Sequence, residues 1–119
     1  ADDDAEIRRI VRRSLSSLEC TIIEAKDGEE ALELILNERP DLVVLDVMMP
    51  TLSGRELCKY IRTKAELADT RVVMLTAIGK TVNEMTSPLY GADRYLDKPF
   101  DIQEIVQVVS DLLATPREG

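Results

Sequence analysis

Four short segments of the chain predict four β-strands, and three of these segments are mainly apolar and contain β-branched residues. Val43 and Val44 lie within a continuous apolar run, the pattern of a strand that helices cover on both faces of a parallel sheet. Pro50 follows this run and cannot continue a sheet ladder, so the chain must turn before it. The predicted strands are residues 20–25, 41–46, 71–76 and 92–97.

Between these strands, apolar residues recur at helical spacing. In residues 5–18 they form one face and four arginines form the other, and Asp3 or Asp4 stands where a helix is capped. Asp101 is the predicted cap of the last helix, and Pro88 shortens or bends the helix that contains it. The predicted helices are residues 5–18, 28–38, 54–64 and 101–114, with a short helix within residues 77–91.

Strands that alternate with helices of this length predict an α/β fold with a doubly wound parallel sheet. A chain of 119 residues is long enough for one such domain and too short for two. We assign residues 1–114 to the domain and residues 115–119 to a tail or the start of a linker. Hydrophobic residues at 45% and charged residues at 32% are the balance of an ordinary soluble protein.

Charge and rare residue types exclude several classes of function. The formal net charge of -8 argues against direct nucleic-acid binding by this domain and suits a basic partner or a cation. No apolar run approaches a membrane span and no secretory leader is seen, which predicts a cytoplasmic protein. Without histidine, imidazole catalysis and histidine-bound metals are excluded. Cys20 and Cys58 are predicted to be reduced packing residues.

Charged and hydroxyl side chains gather at the predicted strand ends. Asp46 and Thr76 end two strands, Lys98 follows a third, and Asp2 and Asp3 precede the first helix. Parallel strands end at one edge of a sheet, the edge where such folds bind ligands. Carboxylates suit Mg²⁺, and one carboxylate can attack a phosphoryl group whose oxygens a lysine and a hydroxyl neutralise. Phosphorylation of an aspartate is the reaction that this set supports.

Taken singly, each of these residues also has a purely structural interpretation. Asp46 could belong to a turn, although an aspartate directly after a buried run is costly without a partner. Asp2 and Asp3 could form a solvated terminus that caps the first helix. Thr76 could be an ordinary strand residue and Lys98 a surface charge. Their joint spacing favours a common function.

That spacing is similar to the pattern of a known family. The matching residues are Asp2-Asp3 ahead of a helix, Asp46 within LDVMMP, Gly54, Thr76-Ala77, Gly91-Ala92-Asp93, Tyr95 and Lys98-Pro99. With these residues the chain resembles, over nearly its whole length, the receiver domain of bacterial two-component response regulators. The resemblance implies a flavodoxin-like sheet with strand order 2-1-3-4-5.

The resemblance also implies the roles of individual residues. Asp46 would accept a phosphoryl group from the phosphohistidine of a sensor histidine kinase or phosphotransfer protein. Asp3, Asp46, the main-chain carbonyl of Met48 and, through water, Asp2 would hold Mg²⁺. Lys98 would contact the phosphoryl oxygens.

A conformational switch is implied as well. Thr76 would move toward the phosphoryl group, and Tyr95 would turn inward to follow it. The altered surface would serve a homodimer or an output domain. Lys98 and Pro99 would be joined by a cis peptide bond.

Two departures from the family pattern lead to further expectations. The first strand is missing, since only Ala1 precedes Asp2, so we expect upstream residues to supply it between the strands at 20–25 and 41–46. Without it, Asp2 and Asp3 would lie on a frayed end and bind Mg²⁺ poorly. Met48 and Ile78 are apolar where a side chain could orient attacking water, which predicts slow self-dephosphorylation.

Three other functions share parts of this pattern. A flavodoxin-type FMN carrier would use aromatic residues to hold its flavin, and this chain has 3% aromatics and no Trp. A phosphatase with Asp46 as nucleophile would use a second aspartate two residues on, where Met48 stands. A pseudo-receiver, a protein-binding module that works without phosphorylation, remains the main alternative.

Overall fold

The structure is a computed structural model, and it describes residues 1–18, 20–47, 49–76, 92–97 and 100–114, with the side chains of Thr76 and Asp97 excepted. Two short 3-10 turns, Ser16–Leu18 and Ala65–Leu67, extend helices or lead into strands. The helices and strands are α1 (Ala5–Leu15), α2 (Gly28–Glu38), β1 (Leu42–Asp46), α3 (Gly54–Thr63), β2 (Arg71–Thr76), β3 (Arg94–Asp97) and α4 (Ile102–Ala114). The predicted elements at these positions are confirmed to within a few residues. The predicted helix at residues 77–91 lies outside the described residues.

The three strands form one parallel sheet in the order β1-β2-β3. Asp46 of β1 pairs in register with Leu75, and Met74 of β2 pairs with Tyr95 of β3. All three strands therefore end at the same edge of the sheet. This order corresponds to the 3-4-5 part of the predicted flavodoxin-like order.

Helices cover both faces of the sheet, which explains why the strands are almost continuously apolar. Successive β2 residues alternate between two cores, because side chains along a strand point to opposite faces. Val72 and Met74 join the core under α2 and α3, whereas Val73 and Leu75 join the core under α1 and α4. All four are at most 1% exposed, so β2 is the central layer of a doubly wound fold.

The helix starts follow from local capping chemistry. The Asp4 carboxylate accepts the Glu6 amide proton at the start of α1. Ser53 and Glu56 form a reciprocal capping box at the start of α3, which satisfies two amides that no helical carbonyl can reach. The predicted capping of α1 by Asp3 or Asp4 is thus confirmed for Asp4.

The predicted strand at residues 20–25 is not confirmed. These residues are not assigned to a strand, because a strand is defined by its hydrogen-bonded neighbour and a cavity of about 580 Å³ separates most of this segment from β1. The cavity is lined by, among others, Val11 and Leu15 of α1, Ile35 of α2 and Val43 of β1. The cavity lies where the sequence indicates that a strand is missing, so this segment has the composition of a strand but lacks the neighbour with which it would pair.

Ala1 and Asp2 bridge one end of this cavity. The Asp2 amide donates to the Ala25 carbonyl at 3.1 Å, and the Asp46 amide donates to the Ala1 carbonyl at 2.9 Å. The Ala1 nitrogen donates to the Val44 carbonyl at 2.6 Å. Ala1 thus bonds to β1 with the spacing of a parallel ladder, and Asp2 bonds to Ala25 on the other side. These two residues form a short strand-like link between β1 and residues 20–25.

The two cysteines differ in their surroundings. Both are reduced thiols, as expected. Cys58 is 0% exposed in the core beneath α3, which confirms its packing role. Cys20 is exposed, so the prediction that it is a packing residue was wrong.

Candidate functional site

Asp46 ends β1 at the carboxyl edge of the sheet. Its side chain is charged, yet the residue is only 6% exposed, and it directly follows the fully buried Leu45. Its amide donates to Ala1 on one side, and its register partner on the other side is Leu75 of β2. The backbone of Asp46 is therefore held from two sides, at a place where a carboxylate needs favourable partners.

Asp2 is more deeply buried than Asp46, with 2% of its surface exposed. Its amide is fixed by Ala25, and one of its carboxylate oxygens accepts the Asp4 amide proton at 2.9 Å. Asp2 is thus held by its own main chain and by the turn into α1. We expected Asp2 and Asp3 to lie on a frayed end, but the backbone of Asp2 is held in place.

Asp2, Asp3 and Asp46 form one cluster. Each offers a carboxylate oxygen, and these oxygens all lie within 4.8 Å of one another. Asp2 and Asp46 are buried, whereas Asp3 is exposed. Like charges at this distance repel, most strongly between the buried carboxylates, and a bound cation removes that cost. Oxygen donors without nitrogen or sulfur suit a hard divalent ion such as Mg²⁺, which also keeps several waters and so needs only a few protein ligands. The donor set fits the metal that the resemblance implies.

The amino group at Ala1 lies beside this cluster. Burial lowers the pKa of the Ala1 ammonium from 8.0 to about 6, although the neighbouring carboxylates of Asp2 and Asp46 act in the opposite direction. Desolvation outweighs attraction here because the nitrogen lies among main-chain groups inside the sheet.

Two glycines set the shape of the loop that follows Asp46. A Cβ atom at Gly54 would overlap the Asp46 carbonyl oxygen and would lie 2.9 Å from the Asp46 carbonyl carbon. A Cβ atom at Gly28 would lie 2.5 Å from the Leu52 Cβ atom. The loop is therefore clamped between the starts of α2 and α3. In the sequence, Gly54 is marked only by its spacing from Asp46, and nothing marks Gly28 because its contact with Leu52 is tertiary.

The same loop contains a strained threonine. Thr51 has a φ of 69°, a left-handed conformation that is unfavourable for a β-branched residue. Its hydroxyl accepts the Glu29 amide proton at 3.0 Å, which satisfies an otherwise open donor in the first turn of α2. This bond ties the loop after Asp46 to α2.

The structure describes the other predicted site residues only in part. Thr76 is the last residue of β2, and β3 ends at Asp97, immediately before Lys98. In this parallel sheet both strand ends lie at the edge that holds Asp46. Tyr95 is half-buried and packs against the core under α2 and α3. Met48, Ile78, Lys98 and Pro99, with the predicted cis bond, lie outside the described residues.

Comparison with known proteins decides the family. The family model named response regulator receiver domain matches residues 1–110 of this chain. The chain belongs to this family. Its membership confirms the predicted resemblance, and it accounts for an acidic cluster at the carboxyl edge of a parallel sheet.

Curated relatives of this receiver domain are about twice its length or longer. The response regulator MprA of Mycobacterium sp. (strain KMS) is 43% identical over 120 residues, which cover 99% of this chain and 51% of the relative. The probable transcriptional regulator ycf27 of Guillardia theta is 43% identical over 104 residues, which cover 87% of this chain and 40% of the relative. The receiver domain thus spans about half or less of these proteins.

Solved structures confirm the fold of the receiver domain. The receiver domain of the Francisella response regulator 1452 matches with a TM-score of 0.86 and 34% identity, covering 95% of this chain and 92% of that one. The chemotaxis response regulator CheY4 of Vibrio cholerae matches with a TM-score of 0.86 and 29% identity, covering 93% and 92%. Among the described residues of our chain, no helix is both long and apolar enough to cross a bilayer.

Proposed function

We propose that this receiver domain takes a phosphoryl group onto Asp46 from a sensor histidine kinase or a phosphotransfer protein, with Mg²⁺ as cofactor. The observation that carries this proposal is the cluster of three carboxylates within 4.8 Å, one of which ends the strand β1. The domain would act in the cytoplasm and would pass its signal to an output domain or a second copy.

The chemistry uses one carboxylate as the nucleophile. A carboxylate oxygen of Asp46 forms a bond to phosphorus while the phosphorus–nitrogen bond of the donor phosphohistidine breaks, which leaves an acyl phosphate and a free imidazole. Mg²⁺, when bound, neutralises charge on the transferred group. Asp3, Asp46, the main-chain carbonyl of Met48 and, through water, Asp2 would hold the metal.

The remaining predicted residues complete the proposal. Lys98 contacts the phosphoryl oxygens, and Thr76 moves toward them. Tyr95 follows Thr76 inward and changes the surface that a partner recognises. These roles rest on the family pattern and on the strand ends that place Thr76 and Asp97 at the edge of Asp46.

Phosphorylation by a small donor tests the proposal. Incubation with acetyl phosphate and Mg²⁺ is expected to add a single phosphoryl group to the parent chain, seen by intact-mass spectrometry. No addition is expected when Mg²⁺ is chelated, or with Asp46→Ala, which lacks the nucleophile. A folded parent chain that stays unmodified would instead indicate a pseudo-receiver that binds its partners without phosphorylation.

Loss of the phosphoryl group is expected to be slow. Met48 and Ile78 stand two residues after Asp46 and Thr76, and apolar side chains cannot orient an attacking water. The decay of the phosphorylated domain after removal of the donor is expected to take minutes or longer, and Met48→Asn is expected to shorten it. A half-life of seconds in the parent domain would contradict this expectation.

A further inference from the structure

Arg8 connects the acidic cluster to the segment at residues 20–25. From the first turn of α1, its guanidinium donates through Nη1 to the main-chain carbonyl oxygen of Asp2 at 2.7 Å. Its Nε lies 3.4 Å from a carboxylate oxygen of Glu24, and the second oxygen of Glu24 accepts a 2.6 Å bond from Arg12. The Glu24 carboxylate therefore contacts both Arg8 and Arg12, and Arg8 in turn contacts Asp2.

The contacted carbonyl occupies a sensitive position. The Asp2 carbonyl and the Asp3 amide belong to one planar peptide group, so a bond that fixes this carbonyl also fixes the direction in which the chain enters Asp3. The Asp2 amide on the preceding peptide is bonded to Ala25. Ala25 and Arg8 thus fix the two peptide groups on either side of the Asp2 Cα atom.

We infer that Arg8 is a positioning residue for the metal site: it holds the peptide between Asp2 and Asp3 so that both carboxylates face Asp46. This inference rests on the proposed Mg²⁺ function. Glu24 acts through Arg8, since it contacts the guanidinium and not the peptide. The side chains of Arg8 and Glu24 are 21% and 35% exposed. Because water screens such a pair, it contributes to the site by fixing geometry more than by the strength of its ionic attraction.

Geometry and charge make opposite predictions for the removal of Arg8. If the arginine acted only as a nearby positive charge, its removal would leave the cluster more negative and would strengthen cation binding. If it positions the peptide, its removal lets the carboxylates disperse and weakens binding. Arg9 gives a matched control, because it is an exposed arginine on the same helix whose removal changes the net charge equally.

The test compares Arg8→Gln with Arg9→Gln in the full chain. Isothermal titration with Mg²⁺ is expected to show roughly a tenfold weaker affinity for Arg8→Gln, the low end of the effect of residues that orient metal ligands. Arg9→Gln is expected to stay within about twofold of the parent, as a surface charge change should. Glu24→Gln should weaken binding in the parent and should have no further effect in the Arg8→Gln background.

A second readout is taken without metal. In NMR spectra of the metal-free chain, Arg8→Gln is expected to shift the Asp3 amide resonance and to speed exchange of the Asp2 amide, whereas Arg9→Gln leaves both unchanged. Equal Mg²⁺ affinities for the two variants, or tighter binding by Arg8→Gln, would overturn the inference. A parent chain that binds no Mg²⁺ would refute the proposed function instead, and the metal-free spectra would still decide whether Arg8 holds the peptide.

Discussion

Gly54→Ala is expected to lower the rate of Asp46 phosphorylation by at least about tenfold while the domain still folds. The new Cβ atom would overlap the main-chain carbonyl of Asp46 and would approach the Val47 Cα atom to 3.1 Å. Neither neighbour is a flexible side-chain end, so the backbone that carries the nucleophile has to move. The better helix propensity of alanine, about 1 kcal/mol, is outweighed by overpacking of about 2–3 kcal/mol.

Gly28→Ala is the matched control for this prediction. It crowds Leu52, whose carbonyl carbon would lie 2.6 Å from the new Cβ atom, and it is expected to destabilise the domain to a similar extent. Its clash lies in the loop and not at the backbone of Asp46. Rates with acetyl phosphate are compared at a temperature where circular dichroism shows both variants folded. Equal slowing in the two variants would show that general destabilisation, not displacement of Asp46, is responsible.

Filling the cavity beside β1 is expected to give the largest gain in stability. An extension of about five valine and leucine residues, joined ahead of Ala1, can lie as a parallel strand between β1 and residues 20–25. It would bury apolar side chains against Val11, Leu15 and Ile35, which line the cavity. Burial at about 2 kcal/mol for each side chain, less the entropy of ordering the residues, leaves a net gain on the order of 3–5 kcal/mol.

Thermal and urea unfolding measure this gain. A control extension of the same length, made of serine and lysine residues, also converts the Ala1 ammonium into an amide but cannot fill an apolar cavity. The apolar extension is expected to raise both Tm and the urea midpoint, and the control to change them little. An apolar extension that gives no advantage over the control would show that the cavity does not accept a strand.

The periodic elements could be predicted from sequence because their causes are local. The helix Gly28–Glu38 and the strand Arg71–Thr76 are found at the predicted residues, since apolar spacing and capping residues are visible in the chain itself. The meeting of Asp2, Asp3 and Asp46 was also predictable, because parallel strands bring their ends to one edge.

Features that depend on distant neighbours could not be predicted in this way. Residues 20–25 have the composition of a strand, but strand pairing depends on a neighbour that lies outside the segment itself. In the sequence, Arg8 is one of several arginines on the polar face of a helix. Only the folded structure brings it to the carbonyl of Asp2. The clash that excludes a side chain at Gly28 likewise involves Leu52, which lies in another loop.

The central claim is that Asp46 is the phosphoacceptor of a site that Mg²⁺ completes. Its most direct test is to locate the added phosphoryl group by tandem mass spectrometry after treatment with acetyl phosphate, with and without Mg²⁺. We expect modification only on the peptide that contains Asp46, only with Mg²⁺, and none in the charge-removing, nearly isosteric variant Asp46→Asn. Modification at another residue, or equal modification of Asp46→Asn, would contradict the account.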